Sequence, residues 1–141
     1  MLPLMRRVRP PVLSLSLLMA LPLTACAPAN TPLYCFADPA QVWGVSPLPA
    51  DAQPECPDSD TVRGEVRSGK TRIEQFALPA DQAETVLKLM QGAGYAVVSR
   101  KPDDGIQLEA ILRKGGDQVM YFAEHQPGRT FVTLTGYGHG E

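Results

Sequence analysis

The side chains best able to do chemistry are three cysteines, Cys26, Cys35 and Cys56, and two histidines, His125 and His139. Cys35 and Cys56 stand 21 positions apart. That spacing is unlike the C-x-x-C of a redox pair. With no histidine nearby, two thiols do not make a zinc ligand set. His125 follows Glu124 in a strand-like stretch, where neighbouring side chains point to opposite faces, so these two do not form a dyad. A solvent-exposed His125 is the expectation. His139 lies in a glycine-rich tail and would give only a weak metal site with His125, so no metal is expected. Asp103-Asp104 lacks the later oxygen ligands of a calcium loop and reads as a solvated turn. Ser68 and Ser99 have no hydrolase motif around them, and neither a P-loop nor a G-x-G-x-x-G is present. Arg63, Arg67, Arg72, Arg100, Lys101, Arg113 and Lys114 would make an anion patch only if their strands were neighbours. Glu65, Glu74 and Glu109 are interleaved with them, which favours a mixed-charge surface. The expectation is a non-catalytic chain without a cofactor.

The elements that must position these residues fall into three unlike pieces. The 141 residues allow one modest domain. With 44% hydrophobic and 6% aromatic positions, the composition excludes a multi-span membrane protein and a fully disordered chain. The net charge of −2, from 13 basic and 15 acidic side chains, disfavours nucleic acid as a partner. Residues 1–25 carry Arg6, Arg7 and Arg9 and no acid. Pro11 to Ala25 is then free of charge. A basic start before a short apolar run is the pattern of an export signal. The run falls short of the roughly 20 residues of a bilayer span, and Pro22 interrupts it. Arg6-Arg7 lacks the flanking residues usual in twin-arginine export and reads as part of the basic start.

The run ends in Leu23-Thr24-Ala25-Cys26. This resembles the lipobox of bacterial lipoproteins, an apolar residue and two small residues before a cysteine, and the resemblance covers residues 1–26 only. It implies a diacylglyceryl group on the Cys26 thiol, cleavage between Ala25 and Cys26, and often acylation of the new amino terminus. Each buried methylene of such chains contributes about 0.8 kcal/mol, so two or three chains anchor firmly. Ala27 is not the aspartate that commonly retains lipoproteins at an inner membrane, which implies the outer membrane in a cell with two. The expected localisation is the extracytoplasmic face of the cell envelope. Ala25-Cys26-Ala27 also fits ordinary signal-peptidase cleavage, which would discard Cys26 and release a soluble protein.

Residues 26–60 read as a lipidated terminus and an acidic, proline-rich stalk. Seven of the 14 prolines lie here, and the charged residues are all acidic: Asp38, Asp51, Glu55, Asp58 and Asp60. Without residues 1–25 the chain keeps ten basic and 15 acidic residues, a net charge of −5. Tyr34, Phe36, Val42, Trp43 and Val45 are apolar enough to need burial. With Cys26 lipidated, Cys35 and Cys56 are the two remaining thiols, in a compartment where disulfides persist. A Cys35–Cys56 disulfide is expected, with two free thiols as the competing reading.

Residues 61–141 balance ten basic against ten acidic residues. Val62 to Arg67 alternates and reads as a strand, with Ser68-Gly69-Lys70 as the turn into a second strand, Thr71 to Leu78. Asp81 and Glu84 resemble a capping box. Ala83, Val86, Leu87 and Met90 make one helical face, and Gly92 and Gly94 stop it. Tyr95 to Arg100, Ile106 to Arg113, Val119 to His125 and Arg129 to Thr135 read as four strands joined by short turns, an antiparallel meander. The expected fold class is α+β: two layers, one helix packed on an antiparallel sheet, in the order β-β-α-β-β-β-β. The sheet face away from the helix must be polar, be covered by the Tyr34–Cys56 region, or form a partner surface. Partial cover by that region is the expectation.

These readings imply an envelope lipoprotein whose domain is a binding or scaffold module, with the membrane, another envelope protein or a small solute as partner. The alternative class is a small envelope enzyme that uses His125 with carboxylates brought to it by the fold.

Overall fold

The computed structural model describes residues 33–138. Cys26 and His139, with the lipobox and the export signal, lie outside them. The elements in chain order are β1 (Gln41–Val42), β2 (Ser46–Pro47), β3 (Gln53–Glu55), α1 (Asp60–Arg67), β4 (Thr71–Pro79), α2 (Thr85–Gly92), β5 (Ala96–Arg100), β6 (Gln107–Lys114), β7 (Asp117–Gln126) and β8 (Arg129–Tyr137). Strands β1 and β2 form a small hairpin. The other six form one open antiparallel sheet in the order β3-β4-β8-β7-β6-β5. The expected α+β domain with a single helix and the order β-β-α-β-β-β-β is corrected accordingly. Among the described residues the fold is mostly β with two helices, and it draws the first strand of the large sheet from the proline-rich segment.

The first correction is local. Val62–Arg67 is helical rather than a strand. Its alternation also places Val62 and Val66 four apart, on one helical face. The ends decide between the two periods. Ser59 caps the start, Asp60 and Arg67 complement the helix dipole, and Gly69 takes φ 74°. The Lys70 N–H donates to the Glu65 carbonyl at 3.1 Å and the Gly69 N–H to Val66 at 3.1 Å. These two bonds are a Schellman stop. What reads as a hairpin turn is therefore a helix end.

Helix α2 forms where its apolar face predicts, but its start differs. Asp81 sits at φ 61° and caps nothing, and Glu84 at the N-cap makes no side-chain cap bond. The sheet supplies the cap instead. The buried Tyr121 hydroxyl of β7 accepts the Leu87 N–H at 3.2 Å and donates to the Ala83 carbonyl at 2.6 Å. Gly94 ends the helix at φ 100°, with Tyr95 N–H donating to Met90 and Gly94 N–H to Gln91. Val86, Leu87 and Met90 are fully buried, each worth about 2 kcal/mol of apolar transfer.

These side chains meet one face of the sheet: Phe76 and Leu78 from β4, Val132 and Leu134 from β8, Val119, Tyr121 and Ala123 from β7, and Leu108, Ala110 and Leu112 from β6. An eight-residue helix is only about 12 Å long. It leaves part of that face open, and the Tyr34–Cys56 segment fills the gap. Val42, Trp43 and Ala52 join the core, and Phe36 packs edge-on against Phe76 with centroids 5.5 Å apart. The expectation that this segment covers the opposite sheet face is therefore overturned. It lies on the same side as α2, within the same compact unit. Cys35 and Cys56 are joined by a disulfide, with Cα atoms 5.8 Å apart.

Candidate binding face

Two polar clusters and one open face stand out. The first cluster fastens the Trp43 turn to the sheet. Trp43 and Gly44 take φ 53° and 67°, the left-handed pair that a tight primed turn requires. A tryptophan there is strained, and its contacts offset the cost. Its backbone N–H donates to Glu74 Oε1 at 3.0 Å, and its indole N–H donates to Asp117 Oδ2 at 3.0 Å. Arg72 lies 3.9 Å above the ring centroid and donates from Nη2 to Glu74 Oε2 at 2.7 Å. Tyr95 also donates to Asp117 Oδ2, at 2.5 Å. Burial pushes the Glu74 carboxyl above its usual range, against the opposing pull of Arg72 and the Trp43 N–H. Burial, followed by the bond to Asp117, pushes Tyr95 up to about 12. Every member of the cluster is engaged by another, so it works as a clasp.

The second cluster lies at the far end of the same sheet face. His125 Nε2 stands 3.0 and 3.1 Å from the two Asp103 oxygens, and Arg100 pairs with Glu84. His125 is therefore partly buried and paired, with a carboxylate from a turn rather than with its neighbour Glu124. The Gly105 N–H, and after it His125, hold the Asp103 carboxyl below its usual range. The Asp104 carboxylate accepts the Gln107 and Ile106 N–H groups at 2.8 and 2.9 Å. Both aspartates shape their turn with these bonds. Among the described residues no three His, Cys, Asp or Glu side chains gather as a metal site.

The basic residues do not assemble into one patch. Arg63 and Arg67 stack near the Tyr34 ring, Lys101 pairs with Glu109 at 2.5 Å, Arg113 donates to Gln118, and Lys114 donates to the Ala93 carbonyl.

The third feature is the sheet face turned away from α2. Strand register places two rows of side chains across it. Ile73, Thr135, Met120 and Ile111 form one, and Gln75, Thr133, Phe122 and Glu109 the next. Phe131 and Ala77 extend it on β8 and β4. Core-side residues of these strands are nearly all sealed, whereas this face is half-buried and Met120 is 42% exposed. Met120 stands between two shallow hollows. One of about 250 Å³ is lined by Ser99, Lys101, Glu109, Ile111 and Phe122; the other, of about 210 Å³, by Lys70, Thr71, Gln118, Thr135 and Tyr137. Charges stay at the margins: Lys101 pairs with Glu109 and Arg129 with Glu55 at 3.6 Å, Glu124 stands exposed opposite Phe131, and Arg113 and Lys70 lie at the other rim.

Sequence reasoning left these face residues unassigned, although a signal exists. In Val119–Ala123 both alternating sets are apolar, Val119, Tyr121 and Ala123 against Met120 and Phe122. A strand that is apolar on both faces marks a sheet with two faces to cover. No protein-family model matches the chain, and neither a curated protein nor a solved structure does.

Proposed function

We propose that the chain is a lipid-anchored protein of the bacterial cell envelope, held by acyl groups on Cys26, whose folded part is a non-catalytic binding or scaffold module. The lipobox-like Leu23-Thr24-Ala25-Cys26 supports the anchoring. The Cys35–Cys56 disulfide suits an exported domain. No helix among the described residues is long and apolar enough to cross a membrane. The observation that carries the binding role is the open sheet face around Met120 and Phe122, with an apolar centre and a margin of mixed charge. That distribution is the anatomy of an interface.

Two measurements test the reading. Intact mass of the chain from the membrane fraction is expected to start at Cys26 and carry acyl groups. An unacylated chain starting at Pro28 overturns the anchoring and leaves a released soluble protein. For the face, Met120→Cys is expected to react with a maleimide much more slowly in intact envelopes than in dilute purified protein. Equal rates refute a binding role for this face.

A second reading, a small envelope enzyme, draws on the Asp103–His125 pair. It would need a group for the imidazole to activate. Thr130, opposite His125 in the ladder, is buried, and its hydroxyl accepts the Gln82 N–H at 3.1 Å. The pair is better read as fastening the 101–106 turn to β7, where the His125 N–H also donates to the Ile106 carbonyl at 2.8 Å.

A further inference from the structure

We infer that the open sheet face packs against the same face of a second copy of this chain, about a two-fold axis close to Met120 and Thr133. The inference rests on reading this face as the binding surface and adds the identity of its occupant. Three observations choose a second copy.

The first is area. Strands β4, β8, β7, β6 and β5 at about 4.8 Å spacing, averaging about eight residues at about 3.3 Å per residue, give a face of roughly 650 Å². Two copies would bury about 1,300 Å², within the range of about 1,200–2,000 Å² that stable pairs occupy. The second is shape. Met120 projects between hollows of about 250 and 210 Å³ on the same face. A two-fold contact is self-complementary, so the knob of each copy finds a hollow on the other. Pleated faces also pack well on each other, at about 10 Å separation. The third is charge. The centre of the face is uncharged, and its margins mix both signs, with the ion pairs Lys101–Glu109 and Arg129–Glu55 beside exposed Arg113, Lys70 and Glu124. An anionic lipid surface or a strongly charged protein would call for one excess sign. A copy of the same mixed-charge face does not. Anchoring both copies in one membrane would raise their effective concentration further.

The test uses the full chain in intact envelopes. Met120→Cys is treated with a short bis-maleimide, with Lys88→Cys on the exposed side of α2 as the comparison. Trp43 emission of the purified variants checks that each is folded. The expected result is a covalent species of twice the chain's mass for M120C and none for K88C. Adding Thr133→Arg places two like charges at the axis and is expected to reduce that species at least tenfold. A dimer that forms equally with K88C, or survives T133R, overturns the inference. If M120C is protected from a monofunctional maleimide but joins a protein of another mass, or joins nothing, the second copy is refuted and the binding face stands. If M120C reacts as fast in envelopes as in dilute solution and gives no dimer, both readings fail.

Discussion

Gly136 lies in β8 where a side chain would point at Trp43. A Cβ built there meets the indole Cζ2 at 2.8 Å, Cη2 at 3.1 Å and the Gln118 carbonyl oxygen at 3.3 Å. Gly136 does not adopt a left-handed conformation, so backbone preference alone makes Gly136→Ala favourable. Removing a strand glycine restricts the unfolded chain and typically stabilises by about 0.4–1 kcal/mol. The structure predicts the opposite sign. The indole is 2% exposed and is fixed on several sides. Arg72 covers one face at 3.9 Å, Asp117 holds the ring N–H at 3.0 Å, and Glu74 holds the backbone N–H at 3.0 Å. A ring so fastened cannot yield several tenths of an ångström without lengthening one of those bonds. Overpacking of this kind costs about 1–3 kcal/mol. The expected net effect of Gly136→Ala is a loss of about 1–2 kcal/mol, or roughly 5–10 °C in Tm for a domain of this size.

The chain reports on this contact by itself, because Trp43 is its single tryptophan. Denaturant unfolding followed by Trp43 emission gives the stability, and the native spectrum shows whether the ring has moved. The decisive comparison is a double-mutant cycle with Trp43→Phe, followed by far-ultraviolet circular dichroism. Phenylalanine lacks the outer indole carbons that the new methyl would strike. Gly136→Ala should then be neutral or stabilising in that background, a coupling of about 1 kcal/mol or more. A Gly136→Ala protein as stable as its parent, with unchanged emission, would show that Trp43 does not press on β8.

Three further outcomes follow from the same contacts. Tyr121→Phe leaves the Leu87 N–H without its buried acceptor and the Ala83 carbonyl without its donor, and should cost about 2 kcal/mol in chemical denaturation; a change under about 0.5 kcal/mol would mean the start of α2 is capped in another way. Opening the Cys35–Cys56 bond with a dithiol should lower stability by roughly 3 kcal/mol in the chain-entropy model. An unchanged midpoint, or two reactive thiols in the untreated protein, would refute the link. Glu74 has its carboxyl raised above 4.5 in the fold, so the native state holds this proton more tightly than the unfolded chain. Its contribution is present below that value and declines as pH rises through the raised one. Stability measured from pH 4 to 7 should therefore fall more steeply with pH in the parent than in Glu74→Gln, and equal slopes would contradict the sign.

How much of this was legible in the sequence depends on whether one element decided its own conformation. The strands from Ala96 to Tyr137 did, because they are rich in β-branched and aromatic residues and short turns join most of them, and the disulfide could be anticipated once export was assumed. Residues 60–70 did not. Their alternation fits either period, and the Schellman bonds of Lys70 and Gly69 that settle it are backbone contacts without a side-chain signature beyond one glycine. The start of α2 was misread for a different reason. Asp81 and Glu84 have the spacing of a capping box, but a distant tyrosine holds the helix start, and no local pattern reveals a partner 34 positions away. The side taken by the Tyr34–Cys56 segment is the most informative case. Its aromatic residues were correctly expected to need burial, and the open face looked like the vacancy. The vacancy was larger on the other side, because α2 spans only eight residues and Glu74, Asp117 and the side-chain-free Gly136 form a seat for Trp43 there. Glycine and two acids read as polar punctuation in sequence. In the fold they draw the segment toward α2, and that choice leaves Met120, Phe122 and Phe131 uncovered.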